Sequence, residues 1–310
     1  MALTQGEYCP TVCPVCEAPG GGFVPCLRTR GPLEIRRCRV CSHLVLSVWP
    51  PRSSDCPDEF GGIDLNAYIQ SMEPERRRGA KTIFTMLKKW KPGAGEFFDV
   101  GASFGWLVEE GVNSGWKGSG VDPSAKAVAE AQRRGLDVML GFFPRDAPLG
   151  KKWDVVTITD VVEHLEDPRA IIRDVRERLK EDGLLVVQSP DVTGLLHRTA
   201  ALLSAMTLGR MTGPLARLWQ VQFPYPHLHG FTRRNACRML EACGFEVLEA
   251  VAQPIISGNM AKRAGYTKSS GGGTDLASWV YGLGIGTLNA VSALTGWQDL
   301  FLVIARRRDG

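Results

Sequence analysis

Long apolar runs, an export signal and a one-sided charge are all missing from this chain, and each absence narrows its class. The 310 residues carry 37 Lys and Arg against 33 Asp and Glu, a formal net charge of +4. That surplus is too small to argue for a nucleic-acid partner. The opening residues, MALTQGEYCPTVCPVC, hold no charged n-region and no apolar core, so no secretory leader is expected and the chain reads as cytoplasmic. One stretch, 276–298, has no charged side chain, but Gly282, Gly284, Gly286 and Asn289 dilute it. It reads as a buried helix or a domain insertion rather than a membrane span. Internal repeats are absent. Of nine Cys, only Cys237 and Cys243 lie beyond residue 56, which excludes a disulfide framework spread along an exported chain. What remains is an ordinary globular composition, 44% hydrophobic and 23% charged, with room for one large domain and a small one.

The crowded cysteines have a pattern. Cys13-Pro-Val-Cys16 and Cys38-Arg-Val-Cys41 are two C-x-x-C turns with 21 residues between them. Each turn presents two thiolates together, and two such turns make a closed tetrahedral S4 site suited to structural Zn²⁺. All four positions are filled, so this metal has no open position for catalysis. Cys9, Cys26 and Cys56 are spare, and Cys9 competes as a ligand. The stretch from Phe23 to Ile35 reads as two short strands of a ribbon. His43, just past Cys41, reads as a packing residue.

Residues 50–62, PPRSSDCPDEFGG, mark a linker. Pro74 to Lys91 reads as a helix with Ile83, Phe84, Met86, Leu87 and Trp90 on one face. Strands and helices then alternate. Strands are expected at 96–100, 117–121, 137–140, 154–159 and 184–189, and helices at 105–113, 124–134 and 168–180. Asp167 is the expected N-cap of the last, with Pro168 at its first position. The alternation implies a parallel sheet covered on both faces. Residues 191–230 interrupt it with two apolar helical pieces, Leu195–Met206 and Pro214–Val221. A helix over Arg233–Cys243 and strands at 245–251 and 300–305 follow.

The densest chemistry lies in EFFDVGASFGWLVEEGVNSGWKGSGVDPS, residues 96–124. An apolar strand ends on Asp99, a loop of small residues contains Gly101, Ser103 and Gly105, and a second strand ends on Asp122. Close-approaching backbone N–H groups at a helix start receive a polar ligand group, and an acid at the next strand tip accepts from ribose hydroxyls. The unit reads as a nucleoside pocket. Ser103 stands where a dinucleotide fingerprint needs Gly, which argues against a pyrophosphate ligand.

With the segments WDVVTITDVVEHLEDP (153–168), GLLVVQSP (183–190) and HLHGFTRRNACRMLEACGF (227–245), the loop resembles the class I S-adenosylmethionine-dependent methyltransferases, in particular the ubiquinone-type small-molecule enzymes. The resemblance covers most of 75–250. It implies an α/β fold with a Rossmann-like seven-stranded sheet, mostly parallel with its last strand antiparallel, preceded by a small zinc ribbon. The implied division is a ribbon at 1–50, a linker at 51–74 and the methyltransferase domain at 75–310, with a helical lid at about 191–230. Asp99, Gly101, Ser103 and Gly105 would line the methionine end of S-adenosylmethionine. Asp122 would hold its ribose, Phe142 or Phe143 its adenine, with Asp146 the nearest acid, and Asp160 would face the methyl. The sulfonium methyl is already activated, so the protein must align a nucleophile and remove its proton. Glu163, His164 and His227 are the candidate bases, with His229 beside them in a Pro-rich loop, while His197 reads as helix surface. The expected acceptor is a small molecule, apolar or lipid-linked, methylated at oxygen, with room for peripheral membrane contact through the lid. Two other readings stand beside this one. One is an RNA methyltransferase gripping RNA through Arg28, Arg30, Arg36, Arg37 and Arg39, against which the ribbon shows no aromatic platform. The other is a catalytically silent scaffold.

Overall fold

The computed structural model describes residues 8, 10–19, 22–28, 33–48, 65–221, 223, 225–254, 291 and 295–308. Most of the uncharged stretch 276–298, Cys9, Cys56 and residues 49–64 of the linker region lie outside them.

Alternation builds the expected sheet. Strands β1 (Phe23–Arg28), β2 (Glu34–Cys38) and β3 (Leu44–Val48) come first, then helix α1 (Leu65–Trp90). The series β4 (Glu96–Val100), α2 (Trp106–Asn113), β5 (Lys117–Asp122), α3 (Ala125–Arg133) and β6 (Val138–Leu140) follows. After β7 (Trp153–Thr159), a 3₁₀ turn at Val162–His164 and α4 (Pro168–Arg178), the chain enters β8 (Leu179–Pro190). Then come α5 (Leu195–Met206), α6 (Gly213–Leu218), β9 (His229–Gly230), α7 (Arg233–Ala242), β10 (Phe245–Gln253) and β11 (Leu300–Arg307).

Seven strands form one sheet in the order β10-β11-β8-β7-β4-β5-β6. Strand β11 runs antiparallel to both neighbours, and the pairs from β8 through β6 are parallel. The chain leaves β4 in one direction and returns beside it as β7, so the strand order reverses between those two. Ligands of open α/β sheets bind in the crevice beyond the strand ends at such a reversal. Local chemistry agrees with these bounds. Asp167 caps α4 by accepting from the Ala170 N–H at 3.0 Å, with Pro168 opening the helix. Ser124 and Thr232 cap α3 and α7 in the same way.

Two expectations need correction. Helix α1 starts at Leu65, not Pro74, so the last ten residues of the expected linker are helix. Its first turns pack Leu65, Tyr68, Ile69 and Met72 on Phe104 and Trp106, and that packing outweighs Pro74, whose missing N–H costs one helical hydrogen bond. The ribbon also has a third strand, β3, and its sheet does not end within the N-terminal residues. Strand β3 pairs with β9, Val45 opposite His229 and Leu44 opposite Gly230. Val45 joins the core shared with Ile172, Phe231, Met239 and Leu240, while its neighbour Leu46 joins a second cluster with Ala200, Leu215, Trp219 and Leu228. Alternation along one strand thus buries the ribbon on both faces, against the domain body and against helices α5 and α6.

Candidate functional site

The loop after β4 is built from left-handed backbone. Gly101, Ser103 and Gly105 have φ of 79°, 47° and 75°. A Cβ at Gly101 would lie 2.3 Å from Val161, so glycine there lets the loop close on the segment after β7. Ser103 is the one non-glycine residue in this set, held at a conformation that costs a side chain about 1 kcal/mol. Asp122 pins it: Oδ2 accepts from the Ser103 N–H at 2.7 Å, and Oδ1 accepts from the Ser124 N–H at 2.8 Å. Each oxygen keeps a lone pair for a further donor. Burial raises the Asp122 pKa. Asp99, one strand over, accepts from the Thr157 hydroxyl at 2.5 Å, and burial pushes it up to about 7. Gly105 caps α2 with no side-chain bond, which leaves the first-turn N–H groups to a ligand or water. These groups fit the polar end and sugar of a nucleoside.

Beyond β6 the two phenylalanines separate. Phe143 is core, 6.2 Å from the Phe98 ring and covered by the Arg178 guanidinium. Phe142 is 48% exposed, so of the pair it is the one able to stack on a base. Asp146 accepts from the Phe142 N–H at 2.8 Å and pairs with Arg145.

Asp160 ends the β7 side of the crevice with φ of 55°. Its carboxylate pairs with Arg76 of α1 and accepts from Gln188 at 3.4 Å. The 3₁₀ turn after it carries Glu163 and His164, and His227 arrives from the loop before β9. One carboxylate oxygen and one nitrogen from each imidazole lie within 4.8 Å of one another. Glu163 is buried, and its Oε2 accepts from the Ser189 hydroxyl at 3.0 Å. Its Oε1 has no hydrogen-bond partner and sits 3.9 Å from His227 Nε2. Burial, with the Asp160 charge nearby, pushes Glu163 up to about 8. Burial lowers His164 and holds His227 well below its ordinary value, so both imidazoles are neutral at pH 7. His164 Nδ1 lies 3.1 Å from the Pro226 carbonyl, which can only accept. The proton is therefore on Nδ1, and Nε2 carries the lone pair.

The other loop histidine goes elsewhere. His229 Nδ1 is 3.1 Å from His43 Nε2 and its Nε2 is 3.1 Å from the Tyr8 hydroxyl, which donates to the Glu166 carbonyl at 2.7 Å. It joins the ribbon to the domain and is not with His164. His197 is not helix surface either. Its Nε2 accepts from the Trp219 indole N–H at 3.1 Å, and burial lowers it to about 4. Arg76, Ser189 and Gln188 carried no sequence signal, since their roles depend on strand order and on α1 crossing the crevice.

The four thiols converge. Cys13 and Cys41 sulfurs are 3.5 Å apart and Cys16 and Cys38 sulfurs 3.6 Å. A tetrahedral zinc with Zn–S bonds of about 2.3 Å spaces its sulfurs by roughly 3.8 Å, so this set fits the ion. The first turn is docked on α4, where Arg169 donates to the Pro14 carbonyl at 3.2 Å and pairs with Glu17 at 3.0 Å.

Comparison with known proteins adds the lineage. Residues 72–250 match the family described as "Methyltransferase domain". The ubiquinone biosynthesis O-methyltransferase of Glaesserella parasuis serovar 5 (strain SH0165) is 26% identical over 122 residues, 36% of this chain and 49% of that protein. The enzyme of the same name from Caulobacter sp. (strain K31) is 26% identical over 180 residues, 54% of this chain and 65% of that one. The chain thus spans 49% and 65% of the lengths of these two relatives. Among solved structures, a Haloferax volcanii complex containing the Trm112 methyltransferase activator aligns with TM-score 0.54 and 14% identity, covering 82% of this chain and 98% of that one. This last likeness concerns the fold alone.

Proposed function

The chain belongs to the class I S-adenosylmethionine-dependent methyltransferases, and from that membership we propose that it transfers the sulfonium methyl to an oxygen of a small-molecule acceptor. The observation that carries the proposal is the meeting of Glu163, His164 and His227 beside the cofactor loop. S-adenosylmethionine, when bound, supplies an activated methyl. The chain's own residues then have three tasks. The loop 101–105 and Asp122 receive the methionine end and the ribose, with Phe142 beside the adenine. The buried imidazoles of His164 and His227 stay neutral and present ring nitrogens to a hydroxyl nucleophile. His164 Nε2 would accept the proton of the acceptor hydroxyl as its oxygen takes the methyl from sulfur, and the Asp160 carboxylate nearby would stabilise the imidazolium. The distant ubiquinone-type relatives support oxygen as the methylated atom and an apolar acceptor. The lid supports the latter with Leu202, Met206, Leu208 and Met211 exposed, a surface also suited to peripheral membrane contact. Among the described residues, no helix is long and apolar enough to cross a membrane.

The four thiols hold a structural Zn²⁺ in this reading, with no part in methyl transfer. A second reading of the acceptor side has its own support. Unpartnered Glu163 Oε1 and the two imidazoles also suit a divalent cation that would bind the acceptor oxygen and lower its pKa.

The test is turnover against a panel of phenols and hydroxylated quinones. His164→Ala is expected to lower kcat by about 10²–10⁴ while S-adenosylhomocysteine affinity stays within twofold. Unchanged turnover removes His164 as the base. Turnover restored to metal-stripped protein only by added Mg²⁺ or Mn²⁺ favours the cation reading.

A further inference from the structure

Leu228 joins the ribbon to the acceptor-side cluster. Leu228 accepts from the Leu46 N–H of β3 at 2.9 Å, and its own N–H donates to the Glu163 carbonyl at 2.8 Å. On one side of Leu228 stands His227, 3.9 Å from Glu163; on the other stands His229, paired with His43 of the ribbon. The His227 N–H is itself held by the Trp219 carbonyl at 3.0 Å. Trp219 and Leu228 pack in the same cluster as Ile35 and Leu46 of the ribbon and Leu215 of the lid. Space at this junction is tight. A Cβ on Gly230 would lie 2.8 Å from Trp219 and Val192 and 3.1 Å from Leu44.

We infer that ribbon strand β3 is a positioning element for the acceptor side: the ladder from Leu46 through Leu228 to Glu163 sets where His227 stands, and Leu46 clamps the lid over it. The cofactor pocket at the ends of β4 and β5 uses none of these bonds. The inference rests on the proposed acceptor-side role of His227, and it assigns the ribbon a task within the chain. A main-chain ladder suits that task, because each bond fixes a backbone position and with it the origin of the neighbouring side chain. Packing of Leu46 excludes water that would compete for those bonds.

The experiment is hydrogen exchange and histidine NMR on the full, metal-replete chain, with S-adenosylhomocysteine binding measured in parallel. None of these readings needs a known acceptor. Leu46→Ala is expected to speed exchange of the 226–230 amides at least tenfold and to move the His227 titration upward toward that of a free imidazole, with S-adenosylhomocysteine affinity within twofold. Leu46→Met keeps the volume and is expected to restore both readings. Ile83→Ala, a comparable truncation packed among α1, α2 and the sheet, is expected to leave them unchanged. If Leu46→Ala does not yield folded protein, the milder Leu46→Val carries the same comparison. An unchanged His227 titration in a folded Leu46 variant overturns the inference, as does a parallel loss of S-adenosylhomocysteine affinity, which would mean general loosening. Failure of the parent protein to bind S-adenosylhomocysteine contradicts the methyltransferase reading alone and leaves the ladder measurable.

Discussion

Among the described residues, the two clusters of side chains that could hold a metal ion are built in opposite ways. The four thiols come from two copies of one local device. In each C-x-x-C turn a backbone N–H, from Glu17 or Ser42, donates to the carbonyl of the leading Cys at 2.9 Å, and both donors sit in the left-handed region. Each turn closes on contacts within its own five residues. The Glu163–His164–His227 set has no shared device. Two members ride a 3₁₀ turn after β7 and the third comes from a loop fixed by the ribbon and by Trp219. The first cluster offers four soft thiol ligands. The second is buried, mixed in chemistry and leaves a carboxylate oxygen unpartnered. A buried carboxylate oxygen without a partner asks for an explanation, and a role in chemistry supplies one.

The largest expected effect tests the structural half of that contrast. Cys38→Ser removes one of four zinc thiolates and is expected to lower stability by about 3–5 kcal/mol, with a thermal midpoint lower by roughly 10 °C. Elemental analysis should find one zinc per parent chain and a substoichiometric amount in the variant. An unchanged midpoint would remove the thiols as a stabilising site.

A smaller effect tests the chemical half. Glu163 is raised in the folded state from 4.5 to about 8, so between those values the folded chain holds a proton that the unfolded chain has released. Stability contributed by its protonated form is full below pH 4.5 and is lost as pH rises toward 8. Glu163→Gln keeps the Ser189 contact without titrating. Its stability relative to the parent should therefore rise across that window and level off above it, as read by chemical denaturation at several pH values. The lowered histidines act at the other end, because protonation of the unfolded chain below pH 6.5 draws the equilibrium away from the fold. A flat difference between parent and variant would show that Glu163 titrates normally.

The smallest effect concerns the loop. Ser103→Gly relieves a left-handed non-glycine residue, and is expected to change stability by less than about 1 kcal/mol in the favourable direction. Loss of several kcal/mol would mean that the Ser103 side chain has a role of its own.

The fold was readable because its signals are local. An apolar run ending on Asp99 marks β4, a short strand ending on Asp122 marks β5, and Asp167-Pro168 marks the start of α4. Helix α1 begins before the local signal of Pro74 because Phe104 and Trp106, which stabilise its first turns, are distant in sequence. The ribbon looked self-contained for the same reason, since nothing in Leu44–Val48 announces a partner at His229–Gly230. Candidate site residues followed the same division. Glu163 and His164 stand out beside a recognisable strand, and His227 and His229 look equivalent in the sequence. Only tertiary pairing separates them, turning one toward Glu163 and the other toward His43.

The most direct test of the account is calorimetric titration of the metal-replete chain with S-adenosylhomocysteine, alongside Asp122→Ala. The account predicts one site per chain in the parent and at least a tenfold weaker affinity in the variant, which loses both the ribose acceptor and the anchor of the Ser103 loop. Absence of binding in the parent, or equal affinity in the two proteins, would contradict it.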